Sequence, residues 1–300
     1  FVFNRYNGAM NKAPVSSQPA IRVYLGGSFN PVHMAHIEMA MHVYETLATI
    51  AAKRQCELQV SLLPNARSPF KSETTHPKHR LNMLKLAVQD TPLLIDELEL
   101  WQTPPVYTID SVRTLRQRYP NDILIFMMGM DSARSLEHWK QGLQLTDYVN
   151  LWLFDRSDDT ERTTGERAAR KIKDDTAKSS SQLTIVDLAK LSAELPLALQ
   201  SQVTRSVTQL LALPKPSLVA QDSSALPLKI TLKGRIYIDT QSIAMISSTD
   251  IREQFFQNIP HTQNQTTIDA KLAIMPNFLL KTLNPAVYRY IITHQLYSAA

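Results

Sequence analysis

Two histidines three residues apart, His33 and His36, follow a glycine pair and a serine in VYLGGSFNPVHMAH (Val23–His36). Glycine is scarce in this chain, with 7 in 300 residues, so two adjacent ones mark a place where the backbone needs room. Three chemistries fit the stretch: a metal site, a tight turn packed into a core, and a cradle for phosphate. Gly26 and Gly27 permit a sharp turn and the approach of a bulky anion with no Cβ in the way, and Ser28 adds a hydroxyl. A helix beginning near His33 would offer unpaired N–H groups and the positive end of its dipole. At spacing i and i+3 the two imidazoles share a helical face, and imidazole is a good donor to phosphate oxygen. A metal would need a third and a fourth ligand, and no Cys/His/carboxylate cluster supplies them at sensible spacing. The residues therefore favour phosphate contact over metal binding and over structural histidines.

A second polar cluster is ISSTDIR, Ile246 to Arg252. One hydroxyl among Ser247, Ser248 and Thr249 would suffice as a helix N-cap, with Asp250 complementing the dipole. Three hydroxyls followed by Arg252, whose guanidinium is a planar fork of donors, make a second anion site. Two anion cradles at opposite ends of the chain suggest a ligand with several phosphates, such as ATP.

The elements that must position these motifs alternate. Ile21–Leu25 reads as a strand; from about Met34 apolar residues recur at three- and four-residue spacing, as in a helix. Leu58–Leu63 is a second strand stopped by Pro64, and a helix is expected from about Pro77 to Gln89. An extended piece around Leu93–Leu100 precedes Thr108, a plausible N-cap for a helix to about Arg118. Ile123–Gly129 and Tyr148–Phe154 are nearly continuous apolar runs, as in strands covered on both faces. Gly234–Asp239 resumes the sheet, and a closing helix covers about Pro285–Tyr297. The pattern predicts an α/β fold with a doubly wound parallel sheet, and the unusual residues follow strands, where such sheets bind ligands. Residues 1–20 read as a flexible tail and 21–300 as a single domain. An insertion over about 157–234 is expected to be a solvated helix or mobile loop, then one apolar helix face formed by Leu199, Val203, Val207, Leu210 and Leu211.

Composition narrows the classes. Hydrophobic residues make up 44% and charged residues 20%, ordinary values for a globular protein with a buried core. A formal charge of +5 with no dense basic stripe argues against nucleic acid as partner. No apolar run approaches the roughly 20 residues needed to span a membrane, and the N-terminus lacks the order of a signal peptide. The single cysteine, Cys56, can form no internal disulfide, fits a cytoplasmic setting and reads as structural. The oligomeric state, homo-oligomers included, is left open.

GGSFNPVHMAH resembles the GG(S/T)F(D/N)PVHxGH signature of nucleotidyltransferases related to class I aminoacyl-tRNA synthetases, and ISSTDIR resembles their ISSTxIR signature. LLPNARSPFK (Leu62–Lys71), PPVYTIDSV (Pro104–Val112), MGMDSARSLEHWK (Met128–Lys140) and LNPAVYRYIITHQLY (Leu283–Tyr297) are similar to one branch, bacterial nicotinate-nucleotide adenylyltransferase. The likeness covers about Ile21–Arg156 and Gly234–Tyr297, and leaves out the N-terminal tail and most of the insertion. It implies a Rossmann-like nucleotidyltransferase fold and transfer of an adenylyl group from ATP to nicotinate mononucleotide, by direct in-line attack with no covalent enzyme intermediate. It implies ATP contacts from Gly26, Gly27, Ser28, Phe29, His33, His36, Ser247, Ser248, Thr249 and Arg252, with His36, His33, Arg252 and Lys71 acting on the reacting phosphates. Asn65, Lys71, Tyr107, Thr108, Gly129, Asp131 and Trp139 would hold nicotinate mononucleotide. Mg²⁺ would travel with ATP, held mainly by substrate phosphates and water rather than by protein ligands.

One departure stands out: Ala35 occupies the position between the histidines that is usually Gly, and its methyl group is expected to push the nucleotide slightly outward. Two other readings remain. One is a sister adenylyltransferase acting on nicotinamide mononucleotide or phosphopantetheine; the other is a non-catalytic nucleotide-binding module whose insertion serves a partner.

Overall fold

The chain alternates apolar runs with amphipathic ones, and each run becomes an element in the computed structural model, which describes residues 18–66, 75–155, 185–212, 233–241, 243, 246–258 and 275–297. The strands are β1 (Ile21–Gly27), β2 (Leu58–Pro64), β3 (Leu94–Ile95), β4 (Ile123–Gly129), β5 (Asn150–Phe154), β6 (Val203–Thr204) and β7 (Ile236–Asp239). They form one sheet in the order β3-β2-β1-β4-β5-β7-β6, and every pairing is parallel. The main helices are α1 (Met34–Arg54), α2 (Pro77–Val88) and α3 (Thr108–Arg118), followed by the short α4 (Met130–Arg134). Later come α5 (Ile185–Ala193), α6 (Leu197–Gln200), α7 (Val207–Leu210), α8 (Ser248–Asn258), α9 (Asn277–Thr282) and α10 (Pro285–Thr293).

Successive strand residues point to opposite faces, so both faces must be covered for continuous apolar runs to be stable. Val23, Leu25, Ile125 and Met127 pack with α1, α2 and the C-terminal helices. Tyr24, Leu124, Phe126 and Met128 pack with α3, α4 and Leu191, Leu195 and Leu199 of the later segment. The expected doubly wound parallel sheet is the fold observed. Among the described residues, no helix is long and apolar enough to cross a membrane.

Several local expectations change. The extended piece at Leu93–Leu100 shrinks to β3, because Leu98–Trp101 folds as a turn with Leu100 N–H donating to Glu97 O at 3.2 Å. Tyr107, not Thr108, is the N-cap of α3. The single apolar helix expected across 199–211 is three elements, α6, β6 and α7. Val203 and Thr204 pair with Ile236 and Tyr237 as an edge strand, and Ser206 starts a new turn by accepting from Gln209 N–H at 3.2 Å. A strand partner outweighed helical periodicity there. The N-terminal 1–17 and the mixed-charge stretch 156–184 lie outside the described residues.

At the carboxyl edge of the sheet, Asp239 of β7 ties α1 to β5 on one face. Its Oδ2 lies 2.9 Å from His42 Nε2 of α1 and accepts from Trp152 Nε1 of β5 at 3.0 Å. The hydrogen bond to Asp239 holds His42 above its ordinary 6.5, against the opposing effect of burial. A base raised in the folded state adds stability that is fully present below its unfolded value and lost as pH rises through its folded value. The melting-temperature advantage of the native protein over His42→Gln should therefore be largest near pH ~5.5 and shrink as pH climbs toward ~9. Thermal melts across that range check this, and a constant difference would separate His42 from the stabilising charge.

Candidate active site

In a doubly wound sheet the strand order reverses at one point, and the crevice beyond the strand ends there is where ligands fit. Here the reversal lies between β1, which leads outward to β2 and β3, and β4, which leads to β5 and β7. A cavity of about 250 Å³ opens at that place, walled by Gly26 and Gly27 from β1 and by Gly129 at the end of β4. His36 stands on one side of it, with Thr108 and Trp139 on another.

The loop leaving β1 has an unusual shape. Phe29 sits at φ 46°, in the left-handed region, yet its ring is wholly buried (0% exposed) and meets His36 edge-on at 4.9 Å. His33 is the N-cap of α1 and still extended, at φ −139° and ψ 170°, so it is not on the helical face with His36 that the spacing implied. The two rings stack instead, with centroids 3.7 Å apart. The His33 N–H donates to His36 Nδ1 at 3.3 Å. With Nδ1 accepting, the proton of a neutral His36 belongs on Nε2, which is the donor a phosphate oxygen requires.

Four residues from elsewhere in the chain clamp this loop. Arg80 Nη1 donates to Ser28 O at 2.8 Å and Arg252 Nη1 to Asn30 O at 2.7 Å. Ser248 Oγ donates to Pro31 O at 2.9 Å and Tyr297 Oη to Asn30 Oδ1 at 2.7 Å. The ISSTDIR hydroxyls thus divide their work. Ser247 Oγ accepts from Asp250 N–H at 3.1 Å as a cap, Ser248 secures the loop, and Thr249 Oγ1 accepts from Arg252 Nη2 at 3.1 Å. This second motif does reach the first through Ser248 and Arg252, but Ser247, Ser248, Thr249 and Arg252 are not among the residues that line the cavity.

The expected acceptor residues separate as well. Asn65, Thr108, Gly129 and Trp139 line the cavity. Tyr107 does not, and its ring face carries Lys140 Nζ at 4.3 Å from the centroid. Asp131 projects from α4 with its side chain 82% exposed and paired to Arg134 at 2.6 Å, outside the cavity wall. Lys71 lies outside the described residues. Ala35 is buried (1% exposed) and does not line the cavity, so its methyl group leaves the cavity wall unchanged.

Glu99 is a wall residue that the sequence reading passed over. It is buried (6% exposed), and loss of hydration pushes its carboxyl above the usual range, opposed by a hydrogen bond with Ser111. Its signal was weak: DELEL holds three acids within four residues, and nothing local says which acid turns inward. Among the described residues, no group of three or more His, Cys, Asp or Glu side chains is arranged to hold a metal ion.

A family model for cytidylyltransferase-like proteins matches residues 24–254, which carry both motifs and all seven strands but the first three residues of β1. The chain belongs to the cytidylyltransferase-like family. A relative from Pseudoalteromonas atlantica named "Probable nicotinate-nucleotide adenylyltransferase" is 39% identical over 137 residues, 45% of this chain and 58% of that protein. One of the same name from Aeromonas salmonicida is 34% identical over 144 residues, 47% of this chain and 60% of that protein. The match thus spans less than two thirds of the length of these curated relatives. The solved structure of Plasmodium falciparum nicotinic acid mononucleotide adenylyltransferase complexed with NaAD is similar with a TM-score of 0.54, covering 93% of this chain and 97% of that one. At 15% identity that likeness is one of fold.

In this cytidylyltransferase-like chain the first glycine of the motif has a packing reason. A Cβ on Gly26 would lie 2.5 Å from Phe126 Cζ, and that ring is buried (4% exposed) in the layer that Gly26 faces. Gly26→Ala should destabilise the protein by about 1–3 kcal/mol through overpacking. Trimming the ring in the double variant Gly26→Ala/Phe126→Leu should recover part of the loss, read by denaturant titration of both variants and of Phe126→Leu alone.

Proposed function

We propose that the protein transfers the adenylyl group of ATP to nicotinate mononucleotide, forming nicotinate adenine dinucleotide and pyrophosphate. The observation that carries this reading is the cavity at the strand-order reversal, with an oriented imidazole on one side and an indole on another. The similarity of the relatives' sequences supports the choice of acceptor. An acceptor phosphate oxygen attacks the ATP α-phosphorus in line; the new P–O bond forms as the bond to the β-phosphate oxygen breaks, and pyrophosphate leaves with that electron pair. The protein's task is to hold two anions in line and to place donors where charge develops. His36 Nε2–H serves the α-phosphate, His33 holds its ring in place by stacking, and the face of Trp139 receives the pyridinium ring by stacking and cation–π attraction. Lys71 attends the departing pyrophosphate, and Arg252, Ser247, Ser248 and Thr249 shape the phosphate side through the loop that Ser248 and Arg252 hold. Mg²⁺ would be carried by the triphosphate and would neutralise part of its charge, held mainly by phosphate and water oxygens, which suit this hard ion. A cytoplasmic setting suits Cys56, whose thiol burial pushes up and away from reactivity.

Purified protein given ATP, Mg²⁺ and nicotinate mononucleotide should release pyrophosphate, and faster than with nicotinamide mononucleotide or phosphopantetheine. No release at saturating substrates would leave the non-catalytic reading standing, and faster turnover of another acceptor would move the assignment to a sister enzyme. His36→Ala should lower kcat by about 100-fold while changing KM much less, since its hydrogen bond strengthens as charge develops. Trp139→Ala should raise KM for the acceptor and leave that for ATP nearly unchanged; equal loss of both would make the indole a packing residue.

A further inference from the structure

Arg80 belongs to none of the motifs read as catalytic, yet it joins the two loops that form the cavity rim. It sits in the first turn of α2 and is wholly buried (0% exposed). Its guanidinium meets four backbone carbonyls. Nη1 donates to Ser28 O at 2.8 Å, Nη2 to Asn65 O and Ala66 O at 2.7 Å each, and Nε to Thr75 O at 3.2 Å. Ser28 follows β1 and Asn65 follows β2, and the two loops also touch directly where Asn65 N–H donates to Gly27 O at 3.0 Å. Gly27 and Asn65 both line the cavity.

Resting on the adenylyl-transfer reading, we infer that Arg80 is a positioning residue: its fork sets the separation of the β1 and β2 loops and turns their peptides so that N–H groups face away from α2. In a trans peptide the C=O and N–H point in opposite directions, and the Ser28–Phe29 and Asn65–Ala66 bonds are trans. Drawing the carbonyls of Ser28 and Asn65 toward the guanidinium therefore directs the N–H groups of Phe29 and Ala66 to the other side of each loop. An anion cradle needs that polarity, with N–H groups presented and carbonyl oxygens withdrawn. Burying a charged group is costly unless its donors are satisfied, and a planar guanidinium can satisfy several carbonyls at fixed angles. A lysine ammonium is a point donor and cannot span both loops. Arg80 also keeps a full positive charge beneath the phosphate loop.

The test is Arg80→Lys in the full chain, which keeps the charge and removes the fork. Amide hydrogen exchange of residues 26–30 and 63–66 should quicken by at least about 10-fold while the strands keep their protection. In the pyrophosphate assay kcat should fall about 100-fold, the scale expected of an ångström-sized misplacement, with either KM changing by less than about 3-fold. Arg80→Met, which also removes the charge, should in addition raise KM for ATP. Native exchange and native kcat in Arg80→Lys would overturn the inference, and so would faster exchange spread evenly over all strands, which marks general destabilisation. Should the native protein itself release no pyrophosphate, the adenylyl-transfer reading fails, while the exchange measurement still decides whether Arg80 orders the two loops.

Discussion

The cavity depends on keeping Ser28–Pro31 in a shape that local interactions oppose. A non-glycine residue in the left-handed region costs on the order of 1–3 kcal/mol, and Phe29 is one. Burial of its ring offsets that cost with roughly 1.5–3 kcal/mol. The remainder comes from hydrogen bonds: Arg80 on Ser28, Arg252 and Tyr297 on Asn30, and Ser248 on Pro31. A hydrogen bond to a charged group contributes about 1.5–3 kcal/mol net, so the two arginines alone can hold the strained conformation. The loop is over-determined from several directions, and in the proposed function that rigidity spares reorganisation when a phosphate ligand arrives.

The sheet supplies the position, and its chemistry follows from where strands end. Parallel strands covered on both faces are apolar throughout, so polar groups collect at their carboxyl termini. At β1 and β4 those termini are glycines, Gly27 and Gly129, which leave open backbone at the cavity wall. Gly26 also makes room for Phe126, where a Cβ would lie 2.5 Å from the ring. Both glycines of the motif line the cavity and both lack room for a Cβ, Gly26 against Phe126 and Gly27 against Phe29.

The later segment is tied to both layers. Leu191, Leu195 and Leu199 join one core and Leu210 and Leu211 the other, while β6 extends the sheet past β7. Arg134 of α4 bonds both Glu194 and Asp131. Asp131 was expected at a sugar hydroxyl; in the structure its carboxylate serves this surface ion chain, close to Gly129 but outside the cavity.

The order of the strands' hydrophobic runs, the glycine pair, the paired histidines and the hydroxyl-rich helix start were all legible along the chain, because periodicity and backbone permissiveness are local properties. They determined the parallel α/β class and marked the loop after β1 as the candidate phosphate cradle. The partners of that loop were not legible. Arg80 stands 52 residues from Ser28, Arg252 stands 222 from Asn30 and Tyr297 stands 267 from it. No window along the sequence holds both members of such a pair, and only the crossovers of the sheet bring them within hydrogen-bond distance. For the same reason the tertiary structure alone decided that Glu99 turns inward, that Tyr107 and Asp131 stay outside the cavity, and that His36 receives its orientation from a backbone N–H three residues before it.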